Sequence, residues 1–164
     1  MGSRLDGGRA FLETGHDHSH CLEEALDRAA ELCGKRGVRL TALRRRVLEL
    51  VWAGHKPLGA YEILGILKGE RQGAAPPTVY RALDFLLQQG LVHRIESLNS
   101  YVGCPEPDSA KPHGGQFLIC RSCGSAAELN DSSIDEAIRK SAAKAGFAVV
   151  RPMIEVEGLC PYCR

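Results

Sequence analysis

Pro76-Pro77-Thr78-Val79-Tyr80-Arg81-Ala82-Leu83-Asp84-Phe85-Leu86-Leu87-Gln88-Gln89-Gly90 reads as a helix with both ends marked. Proline is tolerated in the first helical turn, where its missing N–H has no intrahelical partner, and glycine is a stop signal. Val79, Ala82, Leu83, Leu86 and Leu87 fall at helical spacing and form one apolar stripe. That stripe centres almost opposite Arg81, so Arg81 projects outward, with Asp84 and Gln88 beside it. Leu91-Val92-His93-Arg94-Ile95-Glu96 and Ser100-Tyr101-Val102 then read as two short strands around the polar turn Ser97 to Asn99.

Upstream, three more helices are expected. Residues 22–34 place Leu22, Ala25, Leu26, Ala29 and Cys33 on one stripe, with Gly34 and Gly37 as stops. A second helix follows Thr41, buries Leu43, Val47, Leu50 and Val51, and ends near Gly54; Arg44, Arg45 and Arg46 fall mostly off its stripe. A third runs from near Gly59 through Ile63, Leu64 and Leu67 to about Gly69, with Tyr61 off its stripe. Helices followed by a small hairpin make a winged helix-turn-helix, whose last helix enters the DNA major groove. The charge agrees: residues 35–96 hold 11 Lys/Arg against 5 Asp/Glu, while the rest of the chain holds 10 against 15. A basic block beside an acidic one suits a polyanion on one side only.

Downstream, Pro105, Pro107 and Pro112 mark a linker. The remainder reads as a strand over residues 116–120, a turn, a helix and a final extended segment from Phe147 to Cys160. In the helix, Ser133 and Glu136 have the spacing of a capping box, and Ile134, Ala137, Ile138, Ser141 and Ala145 follow at helical spacing. Pro152 confines the last segment to an edge or a bulge. About 60 residues make a marginal core, so metal or dimerisation should be needed for stability. The fold expected is α+β. Residues 1–20 are a flexible His-containing tail, 21–98 a winged-helix DNA-binding domain, 99–112 a linker and 113–164 a small α/β metal-binding dimerisation domain.

Cys120-Arg-Ser-Cys123-Gly and Cys160-Pro-Tyr-Cys163 are two C-x-x-C knuckles. Each lets two thiolates reach one ion, and a pair of them makes a closed four-thiolate zinc site, structural because no position is left for water. A redox C-x-x-C explains one pair better than two. The chain has no apolar run of roughly 20 residues that could span a membrane, and residues 1–20 lack the apolar core of a signal peptide. A cytoplasmic location and metal-bound rather than disulfide-bonded cysteines are therefore expected.

Leu40-Thr41-x-x-Arg44, Pro77-Thr78-Val79-Tyr80-Arg81-Ala82-Leu83 and the two knuckles, in this order and spacing, resemble the ferric uptake regulator superfamily from about Cys21 to Arg164. Residues 76–86, with Leu91-Val92-His93 and Asn99-Ser100-Tyr101-Val102, are similar to its zinc-uptake branch. The resemblance implies a zinc-responsive repressor, not an enzyme, that binds a palindromic double-stranded operator as a homodimer and takes two Zn2+ per chain. It also implies a regulatory zinc site at His93, Cys104, His113 and Glu128, a mixed donor set that suits zinc. Arg81 would pair with a base, as arginine does with guanine O6 and N7, and Tyr61 is a second such candidate by resemblance. Arg44, Arg45, Thr78 and Tyr80 would meet phosphates.

Iron-sensing relatives carry several histidines before the first knuckle, where this chain has Gly114-Gly115-Gln116-Phe117 and His113 alone. Arg164 follows directly on the second knuckle. Both features point to two metal sites rather than three, and away from iron or peroxide. The tail residues His16, His18, His20 and Cys21 are expected to chelate only adventitiously. The rivals are a family member sensing iron, manganese, nickel or peroxide, a zinc hydrolase using His93, His113 and Glu128, and a thiol redox protein. Cys104 would close the site that a hydrolase needs open.

Overall fold

Residue 11 and residues 18–54, 56–70, 73–108 and 115–164 are described in the computed structural model. Their elements run α1 (His18–Lys35), α2 (Ala42–Trp52), β1 (Leu58–Gly59), α3 (Ala60–Glu70), α4 (Pro76–Gln88), β2 (Val92–Ile95), β3 (Ser100–Gly103), β4 (Gln116–Cys120), β5 (Ala126–Glu128), α5 (Ser132–Lys144) and β6 (Ile154–Gly158). The chain divides into two compact units near residue 110.

The first unit is the winged helix. Thr41 caps α2 by accepting from the Arg44 N–H, which satisfies one of the donors a helix start leaves unpaired. Pro76 and Pro77 open α4 without a side-chain cap, as expected where the first N–H groups need no helical partner. Val47, Leu48 and Val51 of α2, Ile63 and Leu67 of α3, and Val79, Leu83 and Leu86 of α4 are almost wholly buried together. Leu48 belongs to this set although it lies off the stripe read for its helix, because α2 is covered by α1, α3 and α4 at once. Arg81, Asp84 and Gln88 are all exposed, the outward face expected of α4.

The wing has three strands, in the order β1-β3-β2, all antiparallel. Gly59, near which the third helix is expected to start, instead belongs with Leu58 to a two-residue strand, made by pairing with Ser100 and Tyr101. Ser100–Gly103 belongs to this sheet and the Cys104 N–H donates to Leu91 O at 3.0 Å. The first unit therefore runs on past residue 98, the end expected for it.

In the second unit the sheet order is β5-β4-β6, with β4–β5 antiparallel and β4–β6 parallel. Parallel neighbours need a long crossover, and β5 with α5 supplies it. The short strand β5 was not read from sequence. The capping box was misplaced: Asp131 is the N-cap, accepting from the Ser133 N–H at 2.8 Å and the Ser133 hydroxyl at 2.7 Å. Asp and Ser are equally good caps; here Asp131 takes the role and Ser133 lies inside the helix. The final segment is a strand only over Ile154–Gly158, at the edge of the sheet and after Pro152. Phe117, Ile119 and Ala127 are buried, whereas α5 buries no residue.

Candidate metal and nucleic-acid sites

The two knuckles meet because of strand register. Cys120 ends β4, opposite Gly158 of the parallel strand β6, and Cys160 lies two residues beyond. Parallel strands end on the same side, so both knuckles leave the sheet at one edge, and the 36 residues between them are the crossover. The four sulfurs of Cys120, Cys123, Cys160 and Cys163 lie within 4.8 Å of one another, with Cys123 Sγ 3.8 Å from Cys160 Sγ. Zinc–sulfur bonds of about 2.3 Å in a tetrahedron set the sulfurs about 3.8 Å apart. The cluster has the size and chemistry of a four-thiolate zinc site.

The backbone is turned toward thiolate. N–H groups of Cys123 and Cys160 point at Cys120, the latter at 3.3 Å, and draw its thiol down to about 6. The Ser125 hydroxyl, 2.8 Å from Cys123 Sγ, lowers that thiol too. Ser125 was not singled out from sequence; its position just after the Cys123-Gly124 turn was the available signal. Ser122 also favours ionisation of Cys163, but the neighbouring sulfur of Cys160, with burial and the other two sulfurs, pushes it up to about 12. Four thiols this close cannot all ionise without a cation among them.

Of the implied regulatory set, His93 and Cys104 belong to the first unit. A ring nitrogen of His93 and Cys104 Sγ lie within 4.8 Å of each other. They are brought together by the β2–β3 pairing, in which His93 faces Val102 and Val92 faces Gly103. Imidazole and a buried thiol at this separation fit two corners of a zinc site. Glu128 ends β5 in the second unit, and His113 lies outside the described residues. In the tail, His16 and the His18 side chain also lie outside them; His20 pairs with Glu24 at 3.2 Å on the exposed surface of α1, and Cys21 is a free thiol.

The residues assigned to DNA lie on α2, α3 and α4 of the first unit. Tyr61 is 72% exposed near the start of α3, Tyr80 is 39% exposed, Arg81 beside it is exposed, and Thr78 is half-buried in the first turn of α4. Arg44 is engaged within the protein. Its guanidinium lies 3.7 Å from the centre of the Phe85 ring and donates to Arg39 O at 2.6 Å, a cation–π arrangement that sequence periodicity does not reveal. Arg45 holds a looser partner, Glu49 at 3.5 Å. Arg46 grips Glu70 with two parallel N–H donors, at 2.9 and 2.5 Å, and Glu49 with a third at 2.9 Å.

A model of the ferric uptake regulator family matches residues 35–157. The zinc uptake regulation protein of Escherichia coli (strain K12) is 43% identical over 141 residues, 86% of this chain and 82% of that protein. That of Mycobacterium tuberculosis (strain CDC 1551 / Oshkosh) is 32% identical over 131 residues, 78% of this chain and 96% of that protein. A solved zinc uptake regulator, complexed with zinc and DNA, superposes with a TM-score of 0.80 at 42% identity, over 86% of this chain and 93% of that one.

Proposed function

This chain belongs to the ferric uptake regulator family, and we propose that it is a zinc-responsive transcriptional repressor. As a zinc-loaded homodimer it binds a palindromic operator and represses zinc-uptake genes in the cytoplasm. The observation that carries this reading is the likeness, at 42% identity, to a zinc uptake regulator complexed with zinc and DNA. No helix among the described residues is long and apolar enough to cross a membrane.

Two zinc sites per chain have separate tasks. Cys120, Cys123, Cys160 and Cys163 hold the knuckles together at the end of the β4–β6 pair, and so fix the second unit. Zinc, when bound there, supplies a charge that lets all four thiols ionise and a tie among them. His93, Cys104, His113 and Glu128 form the sensing set. Support for it comes from the resemblance and from the closeness of His93 to Cys104 within the wing. Ligands drawn from the wing, from residues after it and from β5 restrict how the two units stand, and that restriction sets the spacing of two recognition helices. Metal thereby favours the DNA-competent population, and by reciprocity operator DNA raises metal affinity.

Dimerisation belongs to the second unit. Ile138, Phe147, Val150, Met153, Val156 and Leu159 are exposed on α5, on β6, between the two and just after β6, apolar side chains that a partner copy would cover. On DNA, Arg81 and Tyr61 read bases, and Thr78, Tyr80 and Arg45 meet phosphates. Arg44 joins them by giving up its stack on Phe85. A hydrolase using His93, His113 and Glu128 is disfavoured, because the Cys104 sulfur, within 4.8 Å of a His93 ring nitrogen, would take the position a reacting water needs.

Zinc per chain, measured beside operator binding with and without a chelator, tests the proposal. The expected result is two zincs, with operator binding lost on chelation and restored by zinc but not by iron or manganese. Operator binding indifferent to chelation overturns it.

A further inference from the structure

Trp52 is the single tryptophan of the chain and the last residue of α2. Its indole packs on the core of the first unit and rests against Gly103, the last residue of β3. A Cβ placed on Gly103 would come within 2.7 Å of Trp52 Cδ2 and closer still to Cε2 and Nε1. No side chain fits there unless the indole moves. Gly103 does not have a positive φ, so glycine is required for space and not for backbone freedom.

The place of this contact gives it a consequence. Gly103 pairs with Val92, and its chain neighbours are Val102, which pairs with His93, and Cys104. The indole thus presses on the backbone between the two proposed ligands of the wing. At the other end, α2 carries Arg44 and Arg45 and packs on α4. An indole is large and rigid, with only two side-chain torsions to absorb a push.

We infer that Trp52 is a positioning residue that carries metal occupancy of His93 and Cys104 into α2 and so to the DNA-facing helices. The inference rests on the assignment of His93 and Cys104 as sensing ligands. When Cys104 Sγ is held, Gly103 is held with it, and the indole fixes where α2 ends. When Cys104 is released, the strand end shifts and the indole follows. A tryptophan that merely filled the core would report on stability, not on metal.

The test uses the full chain carrying only its four-cysteine zinc, titrated with zinc chloride while Trp52 emission and operator binding are followed. Emission should change over the same zinc range as operator binding, and should stay unchanged in Cys104→Ser. Gly103→Ala should raise the zinc needed for half-maximal operator binding about tenfold, with one zinc and the dimer retained before titration. Trp52→Ala should raise it less, and the double variant should match Trp52→Ala because the collision is gone. An unmoved wild-type emission, a wild-type response from Gly103→Ala or Trp52→Ala, or a double variant as impaired as Gly103→Ala overturns the inference. If Gly103→Ala does not fold, the emission titration against Cys104→Ser decides alone. Zinc-dependent operator binding that persists in Cys104→Ser removes the ligand assignment itself, a different failure from unmoved emission beside a Cys104→Ser that has lost its response.

Discussion

Arg81 and Arg45 differ in what surrounds them, and the difference sets what their loss should do. Arg81 stands exposed on α4, with the exposed Tyr80 and Asp84 near it in the chain, whereas Arg45 is held by Glu49. As a base reader, it should cost about 1–3 kcal/mol on the operator when changed to alanine, and should relax specificity at one position per half-site. Arg45→Ala should weaken all sequences alike and lower the salt slope by about 1 per phosphate contacted. Competition binding against random DNA at several salt concentrations separates them. Equal losses on operator and random DNA for Arg81→Ala would sink the base-reading role. That Arg81 points outward was legible from the stripe opposite it. That Arg44 is spent on Phe85 was not, because the stack joins residues of two helices that stand 41 positions apart in the chain.

Elements are where local rules compete, and two of them yield predictions. In α5, the Ser133 hydroxyl and then the Ser133 N–H hold the Asp131 carboxyl below its ordinary value. A carboxylate depressed in the folded state contributes stability at pH values above its unfolded value and loses it as pH falls through the depressed one. Asp131→Asn keeps a cap without the charge, so it should be nearly neutral near pH 7 and remove part of the acid sensitivity of unfolding. Thermal melts of both proteins across the acidic range decide this; parallel pH profiles would show that the charge does nothing. In the first unit, Arg46 joins α2 to the end of α3 through its paired donors on Glu70. These side chains are more than a third exposed, so Arg46→Met should cost only about 1 kcal/mol, read from the urea midpoint. A loss several times larger would mean that the pair is shielded from water in the assembled protein.

At the scale of the whole molecule, the two proposed zinc sites should fail differently. The second unit buries few apolar side chains and none on α5, so the proposed four-cysteine zinc should be part of its folding. Cys123→Ser should give protein that is monomeric, unfolded or aggregating, with operator binding lost as a consequence. The first unit has its own core of helices and does not depend on Cys104 for it. Cys104→Ser or His93→Ala should leave helix content, the dimer and one zinc per chain, and remove only the response to added zinc. Zinc content, sedimentation and operator binding for Cys123→Ser and Cys104→Ser side by side are the measurement. Dissociation of the Cys104→Ser dimer would end the division into structural and sensing sites.

Helix faces, the wing hairpin and the two knuckles could be read from the chain because each is set by residues a few positions apart. A stripe at helical spacing, a proline at a helix start and a C-x-x-C turn are local facts, and local geometry suffices to express them. The strands Leu58–Gly59 and Ala126–Glu128 are too short to carry a pattern; hydrogen bonds to distant partners alone make them strands. Likewise, the spacing of the knuckles named four thiols, but the parallel register of β4 with β6 brought their sulfurs together. Trp52 against Gly103 and Arg44 over Phe85 are of the same kind. Periodicity says which side of an element is apolar. Which residue of another element it meets is fixed only when the whole chain closes on its core.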